Sequence, residues 1–171
     1  MTILIIGFPN SGKSALAEQM AMEMSEAENR IYLATMIPFG NDGKERVKRH
    51  RSMRAGKGFL TVEAPFDIRE TLLKALPGTI RIEDSVILLE CLSNLAANEM
   101  FERRSSESDI EQRILADIAG LGRAARDLII VSNHFENDGT FDEETLKYAA
   151  FMDELNDRLE HIVDRVIRVD K

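Results

Sequence analysis

Apolar residues fall in short runs, and helical periodicity fills the spaces between them. Residues 2–6 (TILII), 31–35 (IYLAT), 59–63 (FLTVE), 86–90 (VILLE), 128–132 (LIIVS) and 165–169 (RVIRV) read as strands. Residues 13–27, 44–54, 67–76, 92–103, 109–126 and 143–160 carry apolar or charged positions at helical spacing. Gly40-Asn41-Asp42-Gly43 signals a turn, 104–108 (RSSES) a polar loop and 133–142 (NHFENDGTFD) a turn-rich loop. Alternating strands and helices predict an α/β fold with a mostly parallel central sheet and helices on both faces. There is no internal repeat and no long linker, so residues 1–171 read as one domain.

Composition narrows the class. The chain has 171 residues, 44% of them hydrophobic, which argues against disorder. Its 22 Lys and Arg against 30 Asp and Glu give a net charge of −8, unlike a protein built mainly to bind nucleic acid. Cys91 is the single cysteine, which excludes an internal disulfide framework and a cysteine-rich zinc module. A cytoplasmic location is the expectation. No segment approaches the ~20 apolar residues of a membrane helix, and the run Ile3-Leu4-Ile5-Ile6 is too short for a signal core.

The strongest motif follows the first strand. Gly7-Phe8-Pro9-Asn10-Ser11-Gly12-Lys13-Ser14 fits G-x-x-x-x-G-K-[ST] between a strand and a helix, and predicts a P-loop nucleotide-binding domain. Glycines let successive N–H groups point at phosphate oxygens, and the helix N-terminus adds partial positive charge. Lys13 supplies a mobile cation and Ser14 a hydroxyl ligand for Mg²⁺. Such a loop needs a carboxylate at another strand end, and Glu90 after Val86-Ile87-Leu88-Leu89 is the candidate. The plain alternatives are a chance strand-to-helix turn and a merely polar strand end.

A second feature is the run 44–54 (KERVKRHRSMR), which holds six of the 22 basic side chains beside His50. On a helix Val47, His50 and Arg54 share one face. Three readings compete: a solvated charged helix, a nucleic-acid patch, and a triphosphate site in which arginines hold phosphate and His50 attacks phosphorus. The patch lacks interleaved aromatics. Neighbouring cations favour the neutral, nucleophilic imidazole. Spacing alone does not select the third reading.

Four blocks, GFPNSGKS at 7–14, YLAT at 32–35, ERVKRHRSMR…FLTVEAP across 45–65 and VILLECLSNLAANEMF at 86–101, together resemble the adenosylcobinamide kinase/adenosylcobinamide-phosphate guanylyltransferase family of cobalamin nucleotide-loop assembly. IIVSN at 129–133 and DELNDRL at 153–159 are weaker likenesses. The resemblance implies a bifunctional transferase using GTP or ATP with Mg²⁺ on a corrinoid substrate. It implies that Gly12, Lys13 and Ser14 hold phosphates and metal, and that His50 becomes guanylylated. Arg51 and Arg54 would neutralise phosphate, Ala34, Thr35 and Met36 would contact nucleotide, and Glu63 would lie near guanine or ribose. It further implies a homotrimer, with neither nucleic acid nor membrane as partner.

The chain also departs from that pattern. The family's loop usually reads Gly-Ala-Arg-Ser before Gly-Lys-Ser, where this chain has Phe8-Pro9-Asn10-Ser11. Phe59 stands where Trp is usual, and His134-Phe135-Glu136-Asn137-Asp138-Gly139 replaces a Glu-Val-Gly stretch. The chain ends at Lys171, before the family's usual final Gly-containing strand. The alternatives are a P-loop kinase for another small hydroxyl substrate, and a non-catalytic nucleotide-binding homologue.

Overall fold

A computed structural model of the chain describes residues 1–38 and 40–170. Lys171, the last residue of the expected single domain, lies outside them. Six strands form one sheet: β1 (Thr2–Gly7), β2 (Arg30–Ala34), β3 (Phe59–Glu63), β4 (Val86–Glu90), β5 (Asp127–Asn133) and β6 (Arg165–Val169). Their order is β3-β2-β4-β5-β1-β6, and every pairing is parallel. The helices are α1 (Lys13–Met24), α2 (Gly40–Arg54), α3 (Ile68–Ala75), α4 (Leu92–Ala97), α5 (Glu107–Ala124) and α6 (Glu143–Glu160).

The strands are short runs of Ile, Leu and Val because both faces are covered. Alternate side chains enter different cores. Ile3, Ile5, Val86, Leu88, Ile129 and Val131 pack with Ala17 and Ala21 of α1. Leu4, Ile6, Ile87, Leu89, Leu128 and Ile130 pack with Leu72 of α3, Leu92 and Leu95 of α4, Ile114 of α5 and Leu155 of α6. Each central strand therefore carries two buried stripes, and one charged residue within it would enter one core or the other.

Two element boundaries differ from the sequence reading for local reasons. The Gly40-Asn41-Asp42-Gly43 turn signal lies inside the first turn of α2, where Gly40 has φ 60°. The helix expected over 92–103 changes to π geometry over Asn98–Glu102. Buried Asn98 explains its anchoring: its amide donates to the Thr35 carbonyl at 2.7 Å and the Pro65 carbonyl at 3.0 Å. That side chain ties together the segments leaving β2 and β3.

Parallel pairing puts Gly7, Ala34, Glu63, Glu90 and Asn133 at one edge of the sheet. In open parallel sheets ligands bind outside the carboxyl ends of the strands. The motif-bearing loops gather at this edge.

Candidate active site

The phosphate loop runs from the end of β1 into α1. Gly7 is required by close packing: a Cβ there would stand 2.7 Å from the Val169 carbonyl oxygen and 2.8 Å from Ser11 Oγ. Gly12 is required by conformation, with φ 88° immediately before the helix. Asn10 also takes positive φ, at 62°, and with Pro9 it is exposed. Lys13 is buried and donates from Nζ to the Phe8 carbonyl at 2.9 Å, folding its side chain back along the loop. Burial pulls its pKa down, and the nearby Glu90 carboxylate opposes that effect.

Glu90 meets the loop from β4. Ser14 Oγ donates to Glu90 Oε1 at 2.8 Å. Glu90 Oε2 is buried without a hydrogen-bond partner among the described residues, as are Ser11 Oγ and Asn133 Oδ1. Burial raises the Glu90 pKa to about 7, against the lowering effects of the Ser14 hydroxyl and Lys13. An unpartnered buried carboxylate oxygen beside a serine hydroxyl is an oxygen donor set that fits a magnesium ion. No group of three or more His, Cys, Asp or Glu that could hold a metal occurs among the described residues.

A cleft opens beside this pair. One end is lined by Tyr32, Ala34, Met36, His50, Glu63 and Asn94, with Val47, Arg54 and Glu90. The other end is lined by Ser14, Ala15, Glu18 and Lys57, with Tyr32, His50, Arg54 and Glu90 shared between the two. The structure therefore brings His50 and Arg54 of α2 to the same cleft as Ser14 and Glu90. Partial desolvation lowers the His50 pKa below the ordinary histidine value, and Arg54, Arg46 and Arg49 lower it further. Its neutral form is favoured, as nucleophilic attack requires.

Arg54 is buried, with its guanidinium carbon 3.7 Å from the centroid of the Tyr32 ring. Its Nε has no partner among the described residues. A desolvated cation resting on an aromatic face keeps its charge and its fixed geometry. Arg51 and Glu63 form an ion pair with each other, and both are more than half exposed, at 54% each. Thr35 lies fully buried beneath the cleft. Its hydroxyl donates to the Cys91 carbonyl at 2.8 Å and accepts from the Cys91 N–H at 2.9 Å.

Several cleft residues carried no sequence motif. Glu18 is one turn from Ser14 on α1, so helical spacing from the phosphate loop is the signal that would have found it. Tyr32 and Asn94 lie inside the blocks at 32–35 and 86–101 but were given no role there; strand register and the way α4 leaves β4 bring them to the cleft. Lys57 sits in the turn after α2, where sequence offers no cue.

Known proteins resemble the chain at two levels. Residues 3–170 match the model of the cobinamide kinase / cobinamide phosphate guanyltransferase family. The bifunctional adenosylcobalamin biosynthesis protein CobP of Pseudomonas aeruginosa is 31% identical over 136 residues, covering 78% of this chain and 71% of that protein. Among solved structures, the flagellar accessory protein FlaH from Methanocaldococcus jannaschii superposes with a TM-score of 0.52 at 16% identity, over 98% of this chain and 70% of that one. That likeness concerns the fold alone.

Proposed function

Because the chain belongs to the cobinamide kinase / cobinamide phosphate guanyltransferase family, we propose that it carries out both reactions through one cleft, with His50 as the guanylyl carrier. It is a transferase of cobalamin biosynthesis. The observation that carries the finer reading is the shared cleft: His50, Arg54, Ser14 and Glu90 line one cavity.

In the transfer half, an imidazole nitrogen of His50 attacks the α-phosphorus of GTP. The bond from α-phosphorus to the bridging oxygen breaks and pyrophosphate leaves with that electron pair. A phosphate oxygen of adenosylcobinamide phosphate then attacks the same phosphorus, the N–P bond breaks and His50 is restored. Splitting the reaction into two displacements is the benefit of a covalent carrier. Arg54 neutralises charge on the transferring phosphoryl group, and Arg51 meets phosphate at the rim.

In the kinase half, backbone N–H groups of 7–14, with Lys13, hold the triphosphate of ATP or GTP. Ser14 and Glu90 would hold magnesium, which supplies charge neutralisation on the phosphates when bound. Ala34 and Met36 form the cleft wall, Thr35 fixes its backbone, and Glu63 stands at the rim, near guanine or ribose. The acceptor is the aminopropanol hydroxyl of cobinamide.

Intact-protein mass after incubation with GTP and Mg²⁺ tests the carrier. The expected result is a gain of one GMP, labile in acid, absent with ATP and absent in His50→Ala. GTP binding without that adduct would leave a kinase lacking a covalent step. Turnover of neither cobinamide nor GTP would leave a nucleotide-binding homologue. No helix among the described residues is long and apolar enough to cross a membrane. A homotrimer is the proposed assembly, and light scattering tests it.

A further inference from the structure

A second imidazole meets the phosphate loop from the end of β5, and the chemistry above gives it no role. The backbone N–H of His134 donates to the Gly7 carbonyl at 2.9 Å. Its ring meets the Phe8 ring edge to face, with centroids 5.4 Å apart. Phe8 is also where Lys13 rests, its Nζ donating to the Phe8 carbonyl at 2.9 Å. His134 thus touches the first two residues of the loop, whereas His50 comes to the cleft from α2. Lys13 and Glu90, which also meet the loop, are committed to phosphate and magnesium.

The ring has a partner that sets its tautomer. Nδ1 lies 2.9 Å from Asp153 Oδ1 on α6. A carboxylate only accepts, so Nδ1 carries the hydrogen and Nε2 keeps the lone pair. One turn further along α6, the Asn156 amide donates to the Asn133 carbonyl at 3.2 Å. The same helix therefore fixes both the imidazole and the peptide that precedes it. The His134 side chain is 43% exposed and that of Asp153 50%, so a hydroxyl can reach the ring and a proton can leave it for water. An imidazole oriented by a carboxylate beside a phosphate-binding loop is the arrangement that transfer from a triphosphate to a hydroxyl calls for.

We propose that His134 is the general base of the kinase half and that Asp153 is its positioning residue, an inference that rests on the chain phosphorylating the aminopropanol hydroxyl. Nε2 accepts the hydroxyl proton as the hydroxyl oxygen bonds to the γ-phosphorus. The bond from that phosphorus to the bridging oxygen breaks, and the nucleoside diphosphate leaves with the electron pair. The imidazolium then gives its proton to solvent. Asp153 holds the tautomer that leaves Nε2 free and stabilises the imidazolium while it lasts. The Phe8 ring packs against the imidazole and limits its rotation. The charged groups around it are Asp153 on α6 and Lys13 at the Phe8 carbonyl, with Glu136 two residues on in its own loop. The two histidines divide the work: His50 attacks phosphorus and His134 takes a proton.

The test is single-turnover phosphorylation of cobinamide by ATP and Mg²⁺, with enzyme in excess, followed across pH in wild type, His134→Asn, His134→Ala and Asp153→Asn. The wild-type rate should rise with pH along an acid limb and then level, because the base must be neutral. Asparagine keeps an N–H for Asp153 and has no basic nitrogen. His134→Asn should therefore lose about a hundredfold in rate and lose the limb, while ATP affinity stays nearly unchanged. Free imidazole should restore rate to His134→Ala. Asp153→Asn should lower the rate and move the limb to lower pH, since the charge that favours the imidazolium is gone. A loss of rate in His134→Asn with the limb retained, and no rescue of His134→Ala by imidazole, is the mark of a structural tie and overturns the inference. Phosphorylation by wild type with an undiminished rate in His134→Asn overturns the inference alone. No phosphorylation by wild type overturns the kinase reading and the inference together.

Discussion

Replacing Glu90 by Gln should stabilise the nucleotide-free protein by an amount that grows as pH rises above about 4.5 and is full above about 7. The carboxyl titrates near its usual 4.5 in the unfolded chain and near 7 in the fold, chiefly because of burial. Below 4.5 both states hold the proton and there is no penalty. As pH rises from 4.5 towards 7, the unfolded state releases its proton first and stability falls. Above 7 the penalty is complete. At about 1.4 kcal/mol per pH unit of displacement, it reaches about 3 kcal/mol. The side chain faces the cleft, so screening reduces the expected figure to about 2 kcal/mol. Glutamine keeps an oxygen for the Ser14 hydroxyl and cannot ionise.

The assay is thermal unfolding of wild type and Glu90→Gln, both metal-free, at pH 5 and pH 8. For a chain of this size about 2 kcal/mol corresponds to roughly 4–8 °C in Tm. The buried amide introduces its own unpaired donor at both pH values, so the readout is the change in the Tm difference between them. That difference should move in favour of glutamine by roughly 4–8 °C on going to pH 8. A difference independent of pH would refute the reasoning, because it would mean that Glu90 ionises in the fold as easily as in water. Magnesium with nucleotide should stabilise wild type far more than Glu90→Gln, since the ionised carboxylate then gains its partner.

Other substitutions probe the remaining parts. His50→Ala should abolish the GMP adduct in mass spectrometry, while retaining cobinamide phosphorylation. Arg54→Gln removes one of the cations that hold the His50 pKa down, so the acid limb of the adduct-formation rate should move to higher pH in a rate–pH profile. Ser14→Ala should lower kinase activity by tenfold or more, read by cobinamide phosphorylation, with little change in Tm. Asn98→Ala leaves two carbonyls without the amide that joins them and should destabilise by about 2 kcal/mol, roughly 4–8 °C in Tm.

The fold was legible because its physics is local. Strands such as Val86–Glu90 are apolar runs ended by a charge, and their two-sided burial forces the Ile, Leu and Val content that periodicity detects. The β5-between-β1-and-β4 order was not legible, because a parallel strand pairs by what the connecting helices permit and not by its own sequence. The phosphate loop was legible because backbone geometry dictates glycine at fixed positions. The hydrogen bond from Ser14 to Glu90 depends on that strand order, so the sequence could propose Glu90 only through the loop's need for a carboxylate. The ion pair between Arg51 and Glu63 was hidden for a similar reason. Each residue resembled a family position separately, and only the parallel seating of β3 beside β2 places Glu63 within reach of α2.

The departures from the family pattern are also clearer in three dimensions. Phe8 in the phosphate loop and His134 after β5 are far apart in sequence, yet their rings meet edge to face at 5.4 Å. The His134 N–H donates to the Gly7 carbonyl at 2.9 Å, and its ring is held by Asp153 at 2.9 Å. The two changes are therefore one arrangement: the Phe8 ring meets the His134 ring supplied by the loop after β5, the strand paired with β1. The ring contact and the Asp153 hydrogen bond thus place the Phe8 and His134 departures together on one flank of the loop between β1 and α1.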